Sequence, residues 1–189
     1  DILDIIDISE RKVFVVYLAA GKEFKQYNTG RMHEEIKKKY NLPEKFLLYV
    51  GDVTANKNLP RLVKAIKIAN IPLVMVGKAL TATSFDRDNP WNRDLVTVQA
   101  LIKGDKNFLQ LGYVSNDDLV MLYNAATVFC MPSLYEGFGL PILEAMSCGC
   151  PVIATKEGSL SEVGGEAAYY VDAYNERSIA KGILDIVQN

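Results

Sequence analysis

TVFCMPSLYEGFGLPILEAMSCGCPVIAT, residues 127–155, holds an apolar run, a glycine-bearing bend, a helical pattern and a second apolar run in quick succession. Thr127–Met131 and Val152–Ala154 are short, apolar and bounded by turn residues, which predicts buried strands. Between them Pro141 stands where a first helical turn tolerates it, and Gly149 stands where the helix should stop. A strand, a helix and another strand in this order form the crossover unit of a parallel sheet.

The same alternation runs from residue 46 to the end. Further strands are expected near Phe46–Val50, Leu73–Val76, Phe108–Leu111 and Ala168–Val171. LPRLVKAIKIAN sets Leu62, Ala65, Ile66 and Ala69 on one helical face with lysines opposite. SNDDLVMLYNAA begins with an expected N-cap at Ser115, and Asp118 stands where a capping box places Glu or Gln. NERSIAKGILDIV supplies a last helix, and residues 77–94 read as one long surface loop. Upstream, RMHEEIKKKY is helical, and KVFVVYLAAGKEF reads as an additional first strand leading out of a linker. The fold class expected is α/β, a Rossmann-like parallel sheet with helices on both faces. Residues 31–189 form that domain, and residues 1–30 read as a linker and the remnant of a preceding one.

Composition narrows the function. With 189 residues, 49% of them hydrophobic, the chain can bury a real core. A formal charge of −2 with interspersed signs excludes the basic face that nucleic acid needs. No apolar run approaches the roughly 20 residues that span a bilayer, and the start lacks the basic region of a secretory signal. The three cysteines, Cys130, Cys148 and Cys150, read as buried reduced thiols suited to a cytoplasmic compartment. His33 and Lys37–Lys39 read as a solvated helix face.

In a parallel sheet every strand-to-helix loop leaves from the same carboxyl edge, because each crossover returns the chain to the opposite edge. That rule gathers GDVTANKN (51–58), GKAL (77–80), GYVS (112–115), PSLYEGFGL (132–140) and TKEGSL (155–160) on one rim. Gly51 and Gly77 stand at strand ends, where backbone turns sharply or approaches a ligand, and Gly137 and Gly139 bend the chain into the next helix. A helix beginning near Gly139 offers free amides and a positive dipole end to phosphate. Lys57 adds a full positive charge. Glu144, one turn into that helix, suits two vicinal hydroxyls such as those of a ribose. Phosphate and diol together specify a nucleotide, and Glu136 then faces whatever lies beyond the phosphates.

EGFGLPILEAMSCGCPVIAT (136–155), followed by GSLSEVGGEAAYYVD (158–172), closely resembles the donor-binding half of the retaining glycosyltransferases of family 4, enzymes of the GT-B architecture. LLYVGDVTANKNLPRLVKA (47–65) resembles that family's phosphate-loop region, FLQLGYVSNDDLVMLYNAA (108–126) its base-binding region, and VVYLAAGKEF (15–24) its entry linker. The resemblance implies that Glu144 holds the ribose and that Glu136 contacts the donor sugar. It implies that amides of Phe138, Gly139 and Leu140 meet sugar and diphosphate, that Lys57 neutralises the leaving diphosphate, and that Tyr113 and Val114 border the base. It implies Glu136 and Lys57 as the catalytic pair, no metal and no cofactor, with a GDP- or UDP-sugar as substrate. It also implies an acceptor, a sugar or lipid-linked sugar, bound by an amino-terminal domain absent here. Through that half it leaves room for peripheral association with the inner face of a membrane. A chain holding donor alone is expected to be inactive by itself.

Two departures stand out. Many family members carry arginine where this sequence has Asp52 or Asn56, so one cationic clamp is missing, and Ser161 replaces a frequent proline. The main alternative is a non-catalytic nucleotide-sugar-binding module of the same fold. A hydrolase with Glu136 and Glu144 as its carboxylate pair leaves the phosphate-loop features unexplained. A phosphorylase or an epimerase fits the motifs less well.

Overall fold

The computed structural model describes residues 2–27 and 30–188. A short helix α1 (Ile2–Ile5) and an irregular segment precede α2 (Gly30–Tyr40). The body then runs β1 (Leu47–Val50), α3 (Leu59–Ala69), β2 (Leu73–Val76), α4 (Arg93–Ile102), β3 (Phe108–Gly112), α5 (Asn116–Ala125), β4 (Val128–Met131), α6 (Leu140–Ser147), β5 (Val152–Thr155), α7 (Leu160–Gly164), β6 (Tyr169–Val171) and α8 (Glu176–Val187). All six strands are parallel, in the order β3-β2-β1-β4-β5-β6. The expected α/β class is correct, and each expected strand lies within a residue or so of its place.

Strand alternation divides the interior into two layers. Leu47, Tyr49, Leu73, Met75, Val128, Cys130 and Ile153 face α3, α4 and α8. Phe46, Leu48, Val74, Phe129, Met131, Val152 and Ala154 face α2, α5, α6 and α7. The chain moves outward one way through β2 and β3 and the other way through β5 and β6. Right-handed crossovers therefore put the helices of the two directions on opposite faces, α3 and α4 on one and α6 and α7 on the other. Local chemistry fixes the helix ends. Ser115 Oγ accepts from the Asp118 amide at 3.2 Å, and Asn175 Oδ1 caps α8 through the amides of Arg177 and Ser178. The Asp118 carboxylate does not complete a capping box, because it accepts from Lys39 Nζ and the Tyr40 hydroxyl instead. Burial lifts the Asp118 carboxyl, but these bonds and that of Ser115 outweigh it and hold the group below its ordinary value.

Four expectations need correction. No strand forms over residues 13–21, where Phe14 and Val16 are 81% and 82% exposed. That run is as apolar as β1, but it adds to neither sheet edge, and a strand without a ladder partner leaves its backbone groups unpaired. Residues 77–94 are not one structureless loop: 3-10 turns form at Lys78–Thr81 and Pro90–Asn92, and α4 begins at Arg93. His33 is only partly exposed, with Nε2 buried and unpartnered among the described residues. The lysines of α2 are not simply solvated, since Lys37 pairs with Glu44 at 3.0 Å and Lys39 with Asp118 at 2.7 Å. The three cysteines are free and buried, as expected. No helix among the described residues is long and apolar enough to cross a membrane.

Candidate functional site

β1 and β4 are hydrogen-bonded neighbours, yet the chain leaves them toward opposite edges and opposite faces. By topology this switch point between their loops is the crevice at the carboxyl edge where sheets of this kind receive ligands. The two loops are tied together. The Leu134 amide donates to Asn56 O at 2.7 Å, and Asn56 Nδ2 returns a bond to Tyr135 O at 3.1 Å. Asn58, buried with a left-handed φ of 56°, donates through Nδ2 to Pro132 O at 2.9 Å and Ala173 O at 2.7 Å. One side chain thus joins the loops after β1, β4 and β6, and satisfies carbonyls that would otherwise be buried without partners.

Lys57 and Glu136 meet across this crevice, 2.7 Å from Nζ to Oε1, with side chains only 21% and 11% exposed. Partial burial makes the pair stronger than a surface ion pair and makes loss of either member costly. Beneath them the Tyr49 hydroxyl donates to Asp52 O at 2.7 Å. Burial, then the charge of Glu136, pushes this phenol up, so it stays protonated. Gly51 packs on that phenol: a Cβ there would lie 3.1 Å from the Tyr49 hydroxyl. Gly77 packs so closely that its Cβ would fall 2.1 Å from Gly51 O, and its amide donates to Gly112 O at 2.9 Å.

The loop entering α6 is held from one side. Ser159 Oγ donates to Phe138 O at 2.8 Å and Glu136 O at 3.1 Å. Gly139 occupies the N-cap position with φ 103° and no side-chain cap. The amides of Phe138, Gly139 and Leu140 have no acceptor among the described residues, and Pro141 has no N–H to offer. Carbonyls are satisfied while amides remain free, the polarity an anion needs.

Glu144 occupies a different wall. Its Oε2 accepts from the hydroxyl of buried Tyr123, on α5, at 3.1 Å. Burial lifts its carboxyl above the ordinary range, the Tyr123 bond opposes this, and the charge of Glu23 adds to it. On the loop that enters α5, Val114 is buried and Tyr113 is 72% exposed, with Lys78 Nζ 5.4 Å from its ring centroid.

The expected site residues therefore fall into two groups on one edge. Gly51, Lys57, Glu136, Gly137, Phe138 and Gly139 belong to the loops after β1 and β4, with Leu140 opening α6; Glu144 meets Tyr123 of α5, Tyr113 and Val114 lead into that helix, and Gly77 joins the rims of β1 and β3. Of the positions expected to miss an arginine, Asn56 ties two loops through its side chain, while Asp52 contributes its backbone carbonyl to Tyr49, as any residue there would. Sequence reasoning missed Asn58, Ser159 and Tyr123. An Asn just before a proline-bearing first helical turn was the available signal for Asn58; Tyr123 was hidden as an ordinary core aromatic. Among the described residues no cluster of three or more His, Cys, Asp or Glu is arranged to hold a metal ion. Grooves of about 550 Å³ beside Lys103 and Gln110 and about 590 Å³ beside Ile68 and Lys181 are lined by none of the expected site residues.

Comparison with known proteins identifies the family and the fold. The family described as "Glycosyl transferases group 1" matches residues 32–189. O-antigen chain mannosyltransferase B of Escherichia coli is 36% identical over 160 residues, covering 80% of this chain and 39% of that protein. The chain thus spans well under half the length of this relative. Among solved structures, sucrose-phosphate synthase from Thermosynechococcus elongatus superposes with a TM-score of 0.71 at 30% identity, over 90% of this chain and 42% of that one. The C-terminal domain of a glycosyl transferase group 1 family protein from Francisella tularensis has the same fold, with a TM-score of 0.70 at 22% identity. It covers 91% of this chain and 89% of that domain. With a Rossmann-like six-stranded sheet and a family match over most of its length, the chain belongs to the group 1 glycosyl transferases.

Proposed function

We propose that this chain is the donor-binding, carboxyl-terminal half of a retaining glycosyltransferase that moves a hexosyl group from a nucleoside-diphosphate sugar to an acceptor. The observation that carries the proposal is the Lys57–Glu136 pair at 2.7 Å beside a helix mouth whose amides lack partners. The diphosphate sits at that mouth, where Lys57 and the amides of Phe138, Gly139 and Leu140 stabilise the charge that develops as the bond from the sugar C1 to phosphate oxygen breaks. Glu136 meets the sugar hydroxyls and holds Lys57 in place. Glu144 accepts from the ribose hydroxyls, oriented by Tyr123. Tyr113 and Val114 border the base. Transfer proceeds on the same face of the sugar, through an oxocarbenium-like state, with the acceptor proton passing to the departing diphosphate.

Lys57 and the α6 dipole take the electrostatic role that a divalent ion has elsewhere, so the reaction runs without metal or cofactor. The acceptor, a sugar or lipid-linked sugar, is held by a partner domain that these residues do not include, at the cytoplasmic side of a membrane, and the isolated chain binds donor without turning it over. Mannose is the favoured sugar, because the E. coli relative carries that name. A thermal-shift screen of GDP-, UDP- and ADP-sugars tests this directly, since a ligand that binds only the folded state raises Tm. A rise with one donor class that Glu144→Ala abolishes supports it; no rise with any of them overturns it.

The missing arginines favour one other possibility, a non-catalytic module that binds the same ligand. Turnover by the chain joined to an amino-terminal acceptor domain separates the two.

A further inference from the structure

Lys78 and Tyr113 stand on neighbouring strand ends, each directly after a glycine, and the two glycines are bonded to each other, Gly77 amide to Gly112 carbonyl, at 2.9 Å. The side chains are consequently held in register, with the ammonium 5.4 Å from the ring centroid. Both are exposed, and Lys78 has no carboxylate partner among the described residues. An exposed lysine laid over an exposed tyrosine, with no core to fill, provides a flat aromatic edge with a mobile donor beside it. Its place matters too. The proposed donor site sets the base beside Tyr113, on the loop that leads into α5, the helix whose Tyr123 meets Glu144.

We infer that Lys78, positioned by its contact with Tyr113, selects the base of the donor, favouring bases whose edge carries carbonyl oxygen over those carrying an amino group. This rests on the proposed donor site. An ammonium has three donors and no acceptor. It can pair with guanine O6 and N7 or with uracil O4, as lysine does on guanine edges in DNA, but it meets an unfavourable donor at adenine N6 or cytosine N4. GDP and ADP differ at this edge and also at N1 and the 2-amino group of guanine, so the decisive quantity is how each ratio changes when Lys78 is replaced.

Calorimetric titration of the whole chain with GDP, ADP, UDP and CDP tests the inference. GDP is expected to bind about tenfold more tightly than ADP, and UDP more tightly than CDP, in line with what one good base contact contributes. Lys78→Met should bring each ratio close to one while leaving ADP affinity within about twofold; Lys78→Arg should keep the preference. Ratios unchanged in Lys78→Met overturn the inference. Equal weakening of all four nucleotides also overturns it, because Lys78 would then be serving the phosphates. Failure of the wild-type chain to bind any of the four removes the donor site and the inference together, whereas binding lost on Glu144→Ala but insensitive to Lys78 keeps the site and removes only the base selection.

Discussion

Glu136 and Glu144 lie eight residues apart in one motif, yet the structure gives them opposite surroundings. Glu136 sits in the loop with a cation 2.7 Å away, so its charge is neutralised where it stands. Glu144 sits on the helix against a neutral phenol and near Glu23, so burial and a like charge both work against its ionisation. One carboxylate is made comfortable by the fold and the other is kept under stress. Uncompensated charge at a crevice is the usual mark of a group reserved for a ligand, whereas a paired one holds geometry as well. Tertiary context alone makes the difference, since the two residues are chemically the same.

The largest expected effect lies at the stressed carboxylate. Replacing Glu144 with Ala should weaken binding of the preferred nucleoside diphosphate about 100-fold, roughly 2.7 kcal/mol, the scale of charged hydrogen bonds to a diol. Calorimetry measures this; a change below threefold would show that Glu144 meets no ribose.

Next comes the neutralised pair. Lys57→Ala leaves a carboxylate only 11% exposed without its partner, and should lower stability by about 2 kcal/mol, less than for a fully buried pair. Lys57→Ala combined with Glu136→Gln should recover most of that loss in urea unfolding without recovering nucleotide affinity. If stability does not return, the loss came from the lysine's packing and the two residues are not coupled.

The smallest effect concerns pH. A carboxyl lifted in the folded state binds its proton more readily there than in the unfolded chain, so its contribution to stability is present below the ordinary glutamate value and is lost as pH rises through the folded one. Glu144→Gln should therefore raise Tm at pH 7, and its advantage over wild type should shrink toward pH 5. Asp118, held below its ordinary value, acts in the opposite sense and only at more acidic pH. An advantage independent of pH would mean that Glu144 is not under electrostatic stress.

Much of the fold was legible in the sequence for a definite reason. Strands of a parallel sheet are covered on both faces, so β1, β2, β4 and β5 appear as unbroken apolar runs ending at turn residues, a pattern few other structures require. The same rule misled at residues 13–18, where an equal run finds no neighbouring strand; apolarity reports a tendency to be covered and carries no information on what covers it. The rim was legible as a set of loops, because topology alone brings them to one edge. Which side chains touch was not. Lys57 and Glu136 are 79 residues apart, and Asn58 reaches Ala173 across 115. Such pairs depend on loop conformations that periodicity does not encode, and the left-handed turn at Asn58 is one of them.

The amides at the mouth of α6 give the most direct test of all. In a nitrogen–proton correlation spectrum of the whole chain titrated with GDP or UDP, the resonances of Phe138, Gly139 and Leu140 should move most, with those around Lys57 and Glu144 following. Shifts centred instead on the outer edge of β3, near Lys103 and Lys106, or no shifts at millimolar nucleotide, would contradict a diphosphate seat at the β1–β4 crevice.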